Sequence, residues 1–243
     1  MDYHRPVPPE ESRRIAQTFG TLYLITFATS IPALWLYQPV LDNPAGYIAG
    51  TGHDNRILLG AFLELLLIIA NIGTAVVVYP LLKRVSEICA LGYVTARLIE
   101  STFILVGILT MVTVVTLQLN PSAGSEATLG SIAYALAAMK DWTFLLGPGF
   151  VVGIGNGLLL GYLMYTSGLV PRRMAMLGLI GGPLIIASGV AVLFGVDRPG
   201  GSLQGLATIP EFIWELSLGI YPLVWGFRAA PVLRGDTGRP ALA

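Results

Sequence analysis

Six apolar runs, separated by short polar stretches, dominate the chain: residues 15–37, 57–82, 88–117, 143–165, 174–196 and 209–227. About 20 helical residues at 1.5 Å rise cross about 30 Å of hydrocarbon, so each run is long enough to span a bilayer. The pattern predicts an all-α membrane protein: a six-transmembrane-helix bundle over residues 15–228, with tails at 1–14 and 229–243. The run at 88–117 is the longest, and its helix must tilt or project beyond the bilayer. The first run follows a charged lead-in, but it is too long for a cleaved leader and no small-x-small site follows, so it reads as a retained span.

Composition agrees with lipid as the solvent: of 243 residues, 54% are hydrophobic and only 12% charged, whereas a soluble domain carries about 25% charged residues. The formal net charge is zero, which implies neither a nucleic-acid partner nor an acidic substrate; the partner is the lipid bilayer. Lys and Arg are nonetheless segregated. Arg5, Arg13 and Arg14 precede the first run, Lys83 and Arg84 follow the second, Arg172 and Arg173 the fourth, and Arg228, Arg234 and Arg239 the last. The alternate connections hold only Arg56, Lys140 and Arg198. Positive short loops stay in the cytoplasm, so both termini are expected inside. With one cysteine, Cys89, and two histidines, His4 and His53, the chain offers no internal disulfide, no Cys/His metal cluster and no bis-histidine haem site, so no cofactor is expected.

The connection at 38–56, rich in Pro, Gly and Asn, reads as an outer loop, while 122–140 has apolar residues at helical spacing (Leu129, Ile132, Ala133, Leu136) and predicts a short interfacial helix outside. Trp35, Tyr37, Tyr47, Trp142 and Trp214 fall near the outer boundary and fit an aromatic belt. Gly149, Gly153, Gly157 and Gly161 recur every four residues in the fourth run, and Gly178 and Gly182 answer in the fifth. Such a face lets helix backbones approach closely, first as a pair within the bundle and alternatively as a seam between copies of a homo-oligomer.

Four ionisable residues lie well inside the runs: Glu64, Arg97, Glu100 and Glu215. A charge at a helix centre costs at least about 2.5 to 3.5 kcal/mol on insertion scales, so these residues must turn inward. Counted along their helices, Glu64 and Glu215 lie roughly 10 Å below the outer surface, with Glu100 near that level and Arg97 about a turn deeper. Arg97 and Glu100, three apart, share a face, as do Glu64 and Asn71, seven apart. Three carboxyls against one guanidinium make candidates for binding a small ligand, lipid or proton, with Asn71 and Asn156 as interhelical hydrogen-bonders beside them. The alternatives are a purely structural ion-pair network and a membrane-embedded enzyme using paired carboxylates. No catalytic residue is assigned.

Weaker features have plain explanations. Thr208 and Glu211, three apart around Pro210, fit a capping box for the last span, and Asp141 a cap for the fourth. His53-Asp54 is too small a set to hold a metal by itself. Gly153-Ile154-Gly155-Asn156-Gly157 lacks the strand that a nucleotide-binding glycine loop requires. Several longer phrases have a family character: Arg14-Ile15-Ala16 with Leu22-Tyr23-Leu24-Ile25-Thr26, Tyr79-Pro80-Leu81-Leu82-Lys83 ahead of Arg97 and Glu100, Gly161-Tyr162-Leu163 through Ser167-Gly168-Leu169-Val170-Pro171-Arg172, and Pro210-Glu211 with Trp214-Glu215-Leu216. In these the chain resembles a bacterial membrane family known as domain of unknown function 4386. The resemblance covers nearly the whole chain and implies a bacterial cytoplasmic-membrane protein of this topology; it supplies no activity.

Overall fold

Helices follow the apolar runs and overshoot most of them. The structure, a computed structural model, describes residues 5–50, 54–120, 122 and 124–234. α1 (Pro9–Leu36) leads into two short helices, α2 (Gln38–Asp42) and α3 (Pro44–Ala49), then α4 (Asp54–Leu82) and α5 (Glu87–Leu119). α6 (Glu126–Phe144) passes directly into two π-helical stretches, Leu145–Val151 and Gly153–Leu160, and then α7 (Gly161–Ser167). α8 (Arg172–Leu193), α9 (Ser202–Trp225) and α10 (Pro231–Arg234) complete the chain. Among the described residues there is no strand.

Five of these helical runs are long and apolar enough to cross a membrane: α1, α4, α5, α8 and the continuous 42-residue run Glu126–Ser167. The chain is therefore a multi-pass membrane protein. α9, with 24 residues, packs on α1 and α8 as a sixth rod, although its polar side chains keep it out of that set. Neighbour contacts run α1–α4–α5, then α5 to α6 and both π-helical stretches, then these stretches to α8, α8 to α9, and α9 back to α1. The helices thus close a ring. Its lower part is filled by Phe19, Tyr93, Leu163, Met164 and Leu218, all buried.

Local chemistry sets the breaks. Ser86 and Ser125 cap α5 and α6 by accepting the Cys89 and Thr128 backbone N–H groups at 3.3 and 3.2 Å. Pro148 lacks an N–H and its ring crowds the carbonyl four residues back, in a segment where glycine tolerates any backbone path; the helix widens there to π geometry. Gly168, at φ 70°, ends α7 in a left-handed turn that only glycine adopts cheaply.

Several expectations are corrected. The helix at 122–140 exists, but it is the start of the fourth rod rather than a separate interfacial element, with Leu129, Ala133 and Ala137 buried against the bundle. The stretch 38–56 holds α2 and α3 rather than open loop. Asp141 lies inside α6 and caps nothing. Trp214, Tyr37 and Tyr47 are buried rather than belt residues, whereas Trp35 and Trp142 do face outward. The glycine face is consumed within one chain: a Cβ on Gly153 would lie 2.8 Å from the Gly182 carbonyl oxygen and one on Gly161 would lie 3.2 Å from the Leu179 nitrogen. Gly149, Gly153, Gly157 and Gly161 are all buried within the single chain. His53 lies outside the described residues; Asp54 accepts a hydrogen bond from the Tyr47 hydroxyl at 2.6 Å.

The capping box also fails, because α9 begins seven residues earlier than the run at 209–227 implied. Its start is organised by Asp197, whose carboxylate accepts from the Gln204 N–H at 3.1 Å and the Arg198 N–H at 2.9 Å. These donors hold the Asp197 carboxyl below the usual carboxylate range. A depressed folded value means that the cap's contribution is fully present above the ordinary carboxylate range and is lost as pH falls through the depressed one. The protection factor of the Gln204 amide should therefore be modestly lower in Asp197→Asn, and in the wild type should fall only at acidic pH.

Candidate functional site

Five of the six polar candidates are drawn towards one cavity by helix periodicity, and the sixth is tied to its wall. α5 presents Arg97 and Glu100 on one face, α4 presents Glu64 and Asn71, and α9 presents Glu215. All five line a cavity of about 180 Å³ in the middle of the ring. Asn156, from the second π-helical stretch, donates its amide N–H to Glu215 Oε1 and accepts from the Tyr23 hydroxyl at 3.3 Å. The remaining lining is mostly apolar and includes Phe27, Leu67, Ile104, Phe144 and Val152.

The floor is closed. Tyr23 and Tyr93 hydroxyls meet at 3.1 Å, Thr74 Oγ1 lies 3.4 Å from the Tyr93 hydroxyl, and the buried apolar core lies beneath. Arg97 sits over the rings of Tyr23 and Tyr93, at 5.2 and 5.9 Å, and binds Glu100 through Nη1 at 2.7 Å. Two aromatic faces and a carboxylate thus offset part of the cost of burying this guanidinium, whose Nε has no hydrogen-bond partner. The mouth is at the other end, rimmed by the outward-facing Ile31, Phe144 and Phe212.

Two charged residues were misread from the sequence. Lys140, counted with the outer connections, is only 3% exposed and sits beneath them: its Nζ bonds both oxygens of Glu64, at 2.7 and 2.8 Å. The Tyr37 hydroxyl donates to the same carboxylate at 3.0 Å, and its ring lies 4.8 Å from Nζ. Gly107 on α5 makes the room, since a Cβ there would lie 2.9 Å from Nζ. The signal was present: Leu129, Ala133, Ala137 and Lys140 continue one buried stripe along α6. Glu211, read as part of a cap, is 1% exposed, with both carboxyl oxygens unpartnered, wedged where Gly157 and Gly181 lack side chains. Thr208 instead donates to the Gln204 carbonyl at 2.8 Å. Glu211 lies one turn before Glu215 on the same helix face.

The charge balance differs accordingly from three acids against one base. Three buried carboxyls and the half-buried Glu215 face two cations; Glu64 is paired with Lys140 and Glu100 with Arg97, and among the described residues neither Glu211 nor Glu215 has an ion-pair partner. Glu211 has no hydrogen-bond partner at either carboxyl oxygen, whereas Glu215 has the Asn156 amide; an acid away from a cation is costly in a low-dielectric interior and is a candidate for meeting one.

A family model described as a domain of unknown function (DUF4386) matches residues 18–226, most of the chain. The chain belongs to the DUF4386 family. No curated protein and no solved structure matches it. The matched segment contains every cavity-lining residue of this DUF4386 member, together with Lys140, Asn156 and Glu211.

Proposed function

We propose that this DUF4386 protein lies in a bacterial cytoplasmic membrane with six spans, α9 being the sixth, and with its basic end and both termini in the cytoplasm. There it binds a small organic cation in the outer-half cavity, in exchange for a proton on Glu215. One observation carries this reading: Glu215, without an ion-pair partner among the described residues, lines a cavity that it shares with Phe27, Leu67, Ile104 and Val152 and with the exposed Ile31, Phe144 and Phe212. Arg5, Arg13, Arg84, Arg172 and Arg228 at one end support the orientation. A cavity of about 180 Å³ is smaller than a drug-sized pocket of roughly 300 Å³ or more, which favours a headgroup-sized cation with a short apolar arm. A paired-carboxylate enzyme is supported less, because Glu100 is committed to Arg97 and Glu211 does not line the cavity. The Glu64–Lys140 pair, saturated by Tyr37, acts as a structural lock.

Thermal unfolding in neutral detergent tests this. Butylammonium and tetramethylammonium should raise the Tm of the wild-type protein beyond an equal concentration of sodium chloride, because a ligand that binds only the folded state stabilises it. The shift should grow with pH, as proton competition for Glu215 falls. Glu215→Gln should weaken binding about tenfold or more, the loss of one charge-assisted contact. A shift that survives Glu215→Gln, or one produced by butyrate instead, removes the proposal.

A further inference from the structure

At the opposite end of the molecule the terminal segments form a second concavity, independent of the cavity. Val7 N–H donates to the Leu233 carbonyl at 2.8 Å, and Arg84 Nη1 donates to the Arg5 and Val232 carbonyls at 3.0 and 3.3 Å. One arginine side chain thus ties the segment before α1 to α10. The chain leaves α9 at Gly226, φ 76°, and crosses within reach of Arg13, whose Nη1 lies 3.9 Å from where a Gly226 Cβ would stand. The result is a groove of about 570 Å³ walled by Val7, Trp225, Phe227 and Leu233, with Arg13 and Arg234 on its rim.

Three properties decide what fits it. The walls are apolar and run up to Trp225, a 62% exposed indole at the end of a membrane-length helix, where aromatic side chains mark the headgroup level. Arg13 and Arg234 are both exposed, and among the described residues no carboxylate pairs with either. Two unpaired guanidiniums above an apolar trough, at the membrane boundary, match an anionic headgroup with an acyl chain below it: guanidinium binds phosphate oxygens in bidentate fashion, and the chain lies along indole and Leu.

We infer that this groove is a binding site for an anionic phospholipid, with the phosphate held between Arg13 and Arg234 and an acyl chain against Trp225 and Leu233.

Native mass spectrometry of the full-length protein in neutral detergent, titrated with dioleoyl phosphatidylglycerol or dioleoyl phosphatidylcholine, tests it. The wild type should hold one phosphatidylglycerol in preference to phosphatidylcholine. Arg13→Gln with Arg234→Gln should weaken that binding about tenfold to thirtyfold, at about a factor of five to six per cation lost near a membrane surface. The doubly Lys-substituted protein (Arg13→Lys, Arg234→Lys), which keeps the charge, should retain most of the preference and guards against misfolding of the Gln pair. Arg14→Gln with Arg228→Gln, removing equal charge outside the groove, should change nothing. Equal loss in that control, or no preference over phosphatidylcholine, overturns the inference. So does full displacement of the lipid by millimolar inorganic phosphate, which assigns the site to a free anion. Lipid binding that appears only after the residues beyond Arg234 are removed overturns it too, giving the groove to the chain's own end.

Discussion

Lys140→Met should be the most destabilising single substitution in the polar interior, lowering stability by about 3 to 5 kcal/mol, the range for breaking a buried ion pair by removing one partner. The loss is large because Glu64, 4% exposed, is left with only the Tyr37 hydroxyl as a hydrogen-bond partner. Adding Glu64→Gln removes the stranded charge while leaving an amide oxygen to accept from Tyr37, so the double variant should recover most of the loss. Unfolding in mixed detergent and dodecyl sulfate micelles, followed by circular dichroism, measures all three proteins. A Lys140→Met protein as stable as wild type would mean that the Lys140–Glu64 pair does not lock the helices.

Lys140 also shows where the sequence could and could not be read. At the basic end the runs stop within two residues of the ends of α4, α5, α7, α8 and α9, because lipid forces each apolar stretch to satisfy its backbone internally, whereas α1 begins six residues before its run. Depth and face, from spacings of three and seven, brought Arg97, Glu100, Glu64 and Asn71 to one cavity, and depth placed Glu215 level with them. Two failures had a common cause, namely that polar residues were assigned to connections because they are polar. Lys140 was taken as an outer charge although it extends the buried stripe of Leu129, Ala133 and Ala137. Glu211 was assigned to a helix start because Pro210 precedes it, yet proline here lies inside α9, where Leu206 simply loses a hydrogen-bond donor. What no one-dimensional pattern held was partner identity. That Lys140 meets Glu64, 76 positions away, depends on the gap that Gly107 leaves on α5. The closed tyrosine floor and the mouth at Ile31 and Phe212 likewise come from the order of rods in the ring, which hydropathy does not encode.

That ring depends most on the contact between the π-helical stretch and α8, and Gly182→Ala should expose this dependence. A Cβ at 182 would stand 2.6 Å from the Gly153 carbonyl oxygen and 3.0 Å from Gly157 Cα, and both obstacles are backbone. Backbone cannot rotate away as a side-chain tip can, so the two rods must separate; overpacking of this kind costs about 1 to 3 kcal/mol, and close approach is what lipid-embedded helices gain from. A series through the same bundle calibrates the effect. At Gly189 the nearest atom is Phe150 Cδ2 at 3.4 Å, an ordinary contact, and at Gly205 nothing lies within 4 Å. Stability should therefore fall sharply for Gly182→Ala, barely for Gly189→Ala, and stay level or rise slightly for Gly205→Ala, where a helix gains from losing a glycine. The first variant should also move the cavity, since Gly153 and Gly157 flank Asn156, which holds Glu215. Butylammonium should accordingly stabilise Gly182→Ala less than it stabilises Gly205→Ala, by the same thermal measurement. Equal melting temperatures across the three would show that the rods have slack at Gly182, and that the glycine face does not set their spacing.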